Sequence, residues 1–147
     1  MFYKQWSVSL EIYPSGILSG WSSILHVGTG GDYGVYGDRN PGIWFTSGTT
    51  KLHIACAVNG DRSYPKETDA IPLNEWTKVD IAQIRQSDGY HYTIAVDYTI
   101  ILDIINTDPR DYTDVKVSSA LNEKIYDHYI PLFRFTLETI LTNQQIR

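Results

Sequence analysis

The residues whose side chains are best suited to bind an ion or a ligand lie in a glycine-rich loop, Thr29–Pro41. Within this loop Asp32, Asp38 and Asn40 carry oxygen donors of the kind that calcium takes, and the glycines allow the backbone to approach an ion closely. Their spacing does not match an EF-hand. Asp, Asn and Gly are also the usual builders of turns, which is their commoner role. Calcium is therefore left open as a cofactor, with these three residues as its candidate ligands.

Aromatic and basic side chains in and beside the same loop have the composition of a sugar site, in which apolar ring faces are combined with a few oriented polar groups. Tyr33 and Tyr36 can stack on a sugar or cap the edge of the core. Trp44 leaves the apolar row of its strand, so it faces either a groove or a second layer of core. We predict ligand contacts from Tyr33, Tyr36, Arg39, Trp44 and His53.

A second candidate rim lies near the C-terminus, where Tyr126 and His128 flank an aspartate. These two residues complete the predicted ligand-binding set. His26 and His53 occupy similar positions in two strands that are candidate neighbours. A hydrogen-bonded pair on one sheet face is one interpretation, and a separate structural role for each histidine is the commoner one.

Patterns that would support catalysis are weak. Glycoside hydrolysis needs two carboxyl groups on one face, about 5 Å apart in retaining enzymes. The acidic residues of the predicted strands instead stand alone: Glu11, Asp80, Asp97 and Asp103. The single cysteine, Cys56, lies on the apolar face of its strand, where a buried and inert thiol is expected. We therefore predict no catalytic residues.

Short alternating segments between turn signals predict strands along the whole chain. The first and last of these are expected to pair with each other. The stretch 61–73 is polar and interrupted by prolines, so it is expected to hold only a short edge strand near residues 63–64. The predicted strands are Lys4–Tyr13, Ser22–Gly28, Gly42–Thr46, Lys51–Val58, Trp76–Arg85, Tyr90–Asp97, Thr99–Asn106, Asp114–Ser118 and Pro131–Thr139.

This arrangement predicts an all-β fold, a two-sheet antiparallel jelly-roll sandwich. Thr99–Asn106 is rich in isoleucine and is expected to be well buried. Residues 121–129 are expected to form a loop or one helical turn. The length of 147 residues indicates a single domain, 1–147, with a core at about 4–140 and a frayed C-terminal tail.

Composition narrows the classes of partner. The net charge is −5 and the 12 basic residues are scattered, which disfavours nucleic acid. No apolar run approaches the roughly 20 residues that span a bilayer, so membrane insertion is not expected. The N-terminus lacks the apolar region of a signal peptide. The chain is thus either intracellular or a module of a longer protein with Met1 added in front.

The order of several motifs resembles one known superfamily. WSSILH is followed by a Gly-rich loop, then by GIWF, LHIACAVNG, PLNEWTKVDI and YHYTIAVD, and a closing apolar strand ends the series. This order is similar to that of the concanavalin A-like lectin/glucanase superfamily, in particular the laminin-G-like jelly-roll modules. The resemblance implies rim loops and a concave face that bind sugars, often with calcium, or that contact proteins.

One position departs from that family pattern. The turn after YHYTIAV usually contains Asp-Gly or Asn-Gly, whereas this chain has Asp97-Tyr98. Tyrosine adopts positive φ only at a cost, so the sequence predicts another turn type or a longer strand.

The functional hypothesis is a non-enzymatic recognition module that binds carbohydrate through its rim loops and concave face. The alternative is a protein-interaction or adhesion module of a larger extracellular protein, and a glycoside hydrolase is the least favoured interpretation. Glycans or glycoproteins are the expected partners, at the cell surface or outside the cell. A protein partner and a homodimer are left open.

Overall fold

The protein folds as two five-stranded antiparallel sheets that pack face to face. A computed structural model describes residues 1–119 and the backbone of residues 132–139. The first sheet has the order β10-β1-β6-β7-β8 and the second β5-β4-β3-β2-β9. The strands are β1 Trp6–Tyr13, β2 Ser22–Gly28, β3 Gly42–Phe45, β4 Lys51–Val58, β5 Asp61–Ala70, β6 Thr77–Gln86, β7 Gly89–Val96, β8 Thr99–Asn106, β9 Lys116–Ser119 and β10 Leu132–Thr139. Every described element is a strand, and the prediction of an all-β, two-sheet antiparallel sandwich is confirmed.

Strict alternation along the central strands builds the core. In β1, Val8, Leu10 and Ile12 are buried, while the residues between them are only partly covered. Strand β4 buries Leu52 and Ile54 in the same way. Side chains from both sheets join one cluster, and each fully buried Leu or Ile contributes about 1.5–3 kcal/mol relative to exposure. The free thiol of Cys56 is part of this cluster, and burial raises its pKa to about 12, as expected for an inert cysteine.

The first and last strands pair, as predicted. β1 lies between β6 and β10, with Trp6 opposite Thr139 and Tyr13 opposite Leu132. The predicted inward and outward positions of the last strand concern side chains outside the described part of the chain. The same holds for the predicted loop at 121–129 and for the C-terminal tail.

Strand β5 corrects the prediction for the polar stretch 61–73. Instead of a short edge segment, it runs for ten residues, Asp61–Ala70, and β4 is its one partner in the part of the chain that the structure describes. Its polar residues are tolerated because it is an edge strand, with most of its residues exposed or only partly covered. Pro65 lacks an N–H, and an edge position leaves one side of the strand without ladder bonds. The expected edge position was right, and the expected length was wrong because polarity reports solvent exposure and not the absence of a strand.

Strand β8 corrects a second expectation, that an isoleucine-rich segment is well buried. Among the strands of the described residues, β8 is the edge of the first sheet and pairs only with β7. Ile101, Leu102 and Ile104 pack partly against the core, whereas Ile100 and Ile105 are exposed. Position in the sheet, which composition does not report, decides the burial of this strand.

The turn between β7 and β8 also differs from the prediction. Asp97 and Tyr98 both have positive φ, 46° and 66°, so the chain makes the tight two-residue turn that was thought to be excluded. Compensation comes from the neighbouring strand. The Asp97 carboxylate accepts a hydrogen bond from the Lys78 backbone N–H at 2.8 Å, and the Asp97 N–H donates to the Lys78 carbonyl. The Lys78 ammonium lies 4.8 Å from the centroid of the Tyr98 ring.

An ion cluster fastens β7 to its neighbours on the outer face of the first sheet. His91 Nδ1 lies 2.8 Å from a carboxylate oxygen of Asp103 on β8, and His91 Nε2 lies 2.9 Å from Asp88 in the preceding turn. These two hydrogen bonds, first that to Asp103 and then that to Asp88, raise the pKa of His91. The pKa of Asp88 is lowered, chiefly by its bond to His91.

We expect His91→Gln to destabilise the protein in a pH-dependent way. Because the folded-state pKa of His91 lies above its ordinary value of 6.5, its stabilising effect is fully present below that value and is lost as pH rises through the raised pKa. The difference in melting temperature between the native protein and the variant should therefore be larger at pH 6 than at pH 9. Thermal unfolding across this range measures it, and a difference that does not change with pH would contradict the assignment.

Candidate functional site

A row of aromatic rings crosses the outer face of the second sheet. Trp44 on β3 is in the middle, with His26 of β2 at 5.7 Å on one side and His53 of β4 at 6.0 Å on the other, between ring centroids. Trp21, just before β2, meets the His53 ring edge-on at 5.2 Å. Trp21 is 59% exposed, so it presents a large free aromatic surface at one end of the row.

Strand alternation explains why these rings share one face. Ile43 and Phe45 are buried in the core, so Trp44 between them points to the opposite side. Trp44 and His53 are direct cross-strand partners. The Trp44 ring folds over Gly42, because a β-carbon at position 42 would lie only 2.1 Å from its Cη2 atom.

Arg39 holds the glycine-rich loop against this row. Its guanidinium lies 4.6 Å from the Trp44 ring centroid and 5.1 Å from that of Tyr33. Nη2 donates to the Asp32 carboxylate at 2.9 Å, Nε donates to the Asp32 carbonyl, and Nη1 donates to the Ser63 hydroxyl on β5. Three of its N–H groups are thus engaged within the protein, and Arg39 acts as a clamp between loop and sheet.

The two loop tyrosines have different surroundings. Tyr33 is exposed, and its ring lies between the guanidinium groups of Arg39 and Arg62, at 5.1 Å and 5.0 Å. The Tyr36 ring is covered by Arg110 at 3.6 Å, and its hydroxyl donates to the Gly60 carbonyl. The structure therefore brings Tyr33, Arg39, Trp44 and His53 together, and directs Tyr36 to the β4–β5 turn.

Asp38 anchors the loop from the inside. It is only 3% exposed, and its carboxylate accepts hydrogen bonds from the Thr29 hydroxyl at 3.0 Å and from the Val35 N–H at 2.9 Å. These contacts, with the Val35 N–H as the largest cause, lower the pKa of Asp38. The Asp38 carbonyl also accepts a bond from His26 Nε2, so the loop and the aromatic row are joined at this residue.

The three candidate calcium ligands turn their oxygens to different partners. Asp38 faces its own loop, and Asp32 forms an ion pair with Arg39. The side-chain oxygen of Asn40, Oδ1, lies 3.7 Å from the thiol sulfur of Cys56 in the core. No group of three or more His, Cys, Asp or Glu residues in 1–119 converges in a way that could hold a metal ion. This donor set does not fit calcium as it stands. Calcium remains a prediction that only binding measurements test, and nothing below depends on it.

His53 and Glu67 give the row its polar edge. The pKa of His53 is lowered, first by burial and then by the nearby positive charge of Arg39. The lowered pKa favours a neutral ring, which carries one hydrogen-bond donor and one acceptor. Glu67, the cross-strand partner of His53, has a lowered pKa because it accepts hydrogen bonds from Lys51 and Thr46. This face thus offers ring surfaces beside an ionised carboxylate and a neutral imidazole.

Sequence analysis found part of this site. The two histidines are not a hydrogen-bonded pair, because β3 lies between their strands and Trp44 separates them. The predicted site did not include Trp21. Its position in the sequence, after a glycine and just before a predicted strand, could have indicated a surface aromatic residue. Tyr126 and His128 lie outside the described residues.

Comparisons with solved structures identify the fold. One similar structure is the carbohydrate-binding module CBM40 of the Ruminococcus gnavus IT-sialidase, bound to α2,3 sialyllactose. It has a TM-score of 0.63 and 14% identity, over 97% of this chain and 80% of that one. The chain has a concanavalin A-like, jelly-roll fold. Botulinum neurotoxin type C, in a structure concerned with ganglioside-dependent cell entry, matches with a TM-score of 0.51 and 14% identity over 92% of this chain and 31% of the toxin.

Comparisons with family models and with curated proteins do not identify a family for this chain. No family model matches the chain, and no curated protein matches it. The narrower laminin-G-like assignment is therefore a prediction still. Within 1–119 and 132–139, no helix has the length and apolar character required to cross a bilayer.

We expect Asp38→Asn to destabilise the protein by about 2 kcal/mol, because an amide replaces one charge-assisted acceptor with a donor facing other donors. Urea denaturation in a chelator-containing buffer measures the loss without any metal. The contribution should be present above the ordinary carboxyl pKa of 3.8 and should fall as pH drops through the lowered value. Asp32→Asn is the control: it breaks a surface ion pair, for which a loss of at most about 1 kcal/mol is expected. Equal losses for the two variants would contradict the anchoring role.

We expect Gly42→Ala to displace the Trp44 ring, because the added methyl group would lie 2.1 Å and 2.5 Å from two of its atoms, well inside van der Waals contact. Overpacking of this kind costs about 1–3 kcal/mol. Near-ultraviolet circular dichroism reports the change in the tryptophan environment. Gly34→Ala is the matched control, because the nearest atom to its added methyl lies at 3.6 Å, an ordinary contact. An unchanged spectrum for Gly42→Ala would show that the ring does not lie over this glycine.

Proposed function

We propose that this chain is a non-enzymatic carbohydrate-binding module that holds glycans on the outer face of the second sheet. The observation that carries the proposal is the row Trp21–His53–Trp44–His26, of which Trp21 is largely exposed. Aromatic rings offer flat apolar surfaces that match the C–H face of a sugar ring, and their polar edges and neighbours take its hydroxyl groups.

The polar groups beside the row have the right character for sugar hydroxyls. His53 is favoured in its neutral form, so it can donate and accept, and ionised Glu67 accepts. His26 donates a hydrogen bond from Nε2 to the Asp38 carbonyl, so Nδ1 is the ring nitrogen that faces a ligand. Similar folds occur in a carbohydrate-binding module with bound sialyllactose and in a toxin linked to gangliosides. This analogy of fold supports the proposal and does not replace the argument from the residues.

Hydrolysis is disfavoured on this face. A glycosidase needs an acid and a second carboxylate facing one bond. The carboxylates of Glu67 and Asp32 lie near the described row, and both are engaged by neighbours: Glu67 is held ionised by Lys51 and Thr46, and Asp32 forms an ion pair with Arg39. We extend the proposal to a glycan or glycoprotein partner outside the cell or at its surface, with the chain serving as a module of a longer protein.

A protein-interaction module is the second candidate, and one observation favours it. Edge strand β8 exposes Ile100 and Ile105, and Tyr98 in the preceding turn is 80% exposed. An edge strand with exposed apolar side chains is a ready template for pairing with another chain. Sedimentation velocity distinguishes this candidate: a dimer abolished by Ile100→Lys would favour protein contacts through β8, and a monomer would favour the glycan proposal.

Trp21→Ala should weaken glycan binding about tenfold, which corresponds to about 1.4 kcal/mol, because it removes the exposed stacking surface. Binding is measured on an array of neutral and acidic oligosaccharides and then by calorimetry, each with calcium and with a chelator.

The matched control is Trp76→Ala. Trp76 is also partly exposed, but it packs on Tyr13, at a ring-centroid distance of 5.4 Å, beside the other sheet. Glycan binding should be unchanged in this variant. Absence of binding across the array under both conditions, or equal losses in the two variants, counts against the proposal.

A further inference from the structure

A pocket opens at the His26 end of the aromatic row. It has a volume of about 240 Å³, and its lining combines small residues with one cation: His26, Gly28, Gly30, Gly31, Lys116 and Ser118. Sites for drug-sized ligands typically measure about 300–1,000 Å³. The pocket therefore suits one residue or one charged substituent of a glycan.

Strand register explains the position of the cation. β9 pairs with β2 so that Ser118 is opposite His26 and Lys116 is opposite Gly28. Directly opposed residues share a sheet face, so all four lie on the outer side with the aromatic row. Glycine at position 28 allows the backbone of Asp38 to lie directly against β2.

The loop above β2 closes the pocket with backbone. A β-carbon at Gly28 would lie 2.0 Å from the Asp38 carbonyl oxygen, and one at Gly31 would lie 2.5 Å from the Asp38 carboxylate. Side chains cannot be added at these two glycines unless the loop moves. The Lys116 Nζ atom lies 3.9 Å from the β-carbon position of Gly30, which places the ammonium beside the loop.

The charge of Lys116 has no neutralising partner among the described residues. Arg39 forms an ion pair with Asp32 and Lys51 with Glu67, whereas no carboxylate of residues 1–119 forms an ion pair with Lys116. Arg62 is engaged in another way, because it lies over the Tyr33 ring and donates to the Gly34 carbonyl. The lining of the pocket contains no Asp or Glu. Asp38 lies behind Gly31, but it is buried and both its oxygens accept hydrogen bonds from its own loop. In a chain with a net charge of −5, this pocket is a local cationic site.

We propose that this pocket takes the anionic group of an acidic glycan, a carboxylate or a sulfate ester. Lys116 Nζ supplies the charge, the Ser118 hydroxyl donates a hydrogen bond, and the attached sugar continues past His26 toward Trp44. This inference rests on the proposed carbohydrate-binding function and adds to it the chemical class of the ligand. Charge-assisted hydrogen bonds of this type are about twice as strong as neutral ones.

The test uses three ligands with one common core: lactose, sialyllactose, and lactose carrying a sulfate on its galactose. Calorimetry at low ionic strength should show that at least one of the charged ligands binds about tenfold more tightly than lactose. The comparison of sialyllactose with the sulfated sugar identifies the source of the anion. The advantage should shrink as salt rises, because the ion pair lies near the surface.

The decisive variant is Lys116→Gln, which should remove most of the preference for charged ligands over lactose. Lys116→Arg should retain the preference. Lys78→Gln is the matched control, because Lys78 lies on the other sheet and forms an ion pair with Asp80. Melting temperatures close to that of the native protein show that the variants are folded.

Each outcome supports or overturns a separate statement. Loss of the charge preference in Lys116→Gln alone supports the anionic pocket. Equal binding of lactose and both charged ligands, or a preference that persists in Lys116→Gln, overturns the pocket while the carbohydrate-binding proposal stands. Failure of all three ligands and of the neutral array overturns both proposals.

Discussion

The buried carboxylate of Asp38 is the contact on which the rest of the candidate site depends. Its oxygens accept hydrogen bonds from the Thr29 hydroxyl and the Val35 N–H, and these bonds fix the shape of a loop that is rich in glycine. Its backbone carbonyl accepts a hydrogen bond from His26 Nε2, which orients an imidazole on the neighbouring strand. Because glycine adds no side-chain constraints, such a loop needs an internal polar anchor to be ordered at all. One residue therefore links loop shape and sheet face.

A second level of order comes from stacked cations. Arg39 lies over Trp44 and beside Tyr33, and Arg62 covers the other side of Tyr33. Exposed cation–π contacts contribute about 0.5–1 kcal/mol each, so the set stiffens the loop without making it unable to move. Because Arg39 lies over it, Trp44, which the sequence analysis had predicted to contact the ligand, is partly covered. Trp21 is the tryptophan of the row whose ring surface is largely exposed.

Sequence patterns predicted the fold well because alternation is a local property. The bounds of β2, β4 and β8 follow directly from runs of alternating or β-branched residues between turn signals. Position within a sheet is not local, and the predictions failed there: β8 has the composition of a core strand but lies at an edge, and β5 has the composition of a loop but pairs along ten residues.

The site was predicted only in part, for the same reason. Trp44 and His53 could be placed on one face from their strands, whereas the pocket beside Lys116 arises from the pairing of β2 with β9, which are about 90 residues apart. Asp38 was identified as a polar loop residue, but its burial and its role as an anchor depend on how the loop folds back on itself. No periodicity in the sequence encodes that folding.

The position of β1 between β6 and β10 has a consequence for the order of events during synthesis. β1 leaves the ribosome about 60 residues before β6 and about 120 residues before β10. Both edges of this apolar strand are open until β6 emerges, and one edge stays open until β10 emerges, and open strand edges are prone to association with other chains. Contacts between such distant segments also make folding slow compared with proteins built from local contacts. The nascent chain therefore relies on late closure by β10, and chaperones that shield extended apolar segments would act on the interval before it.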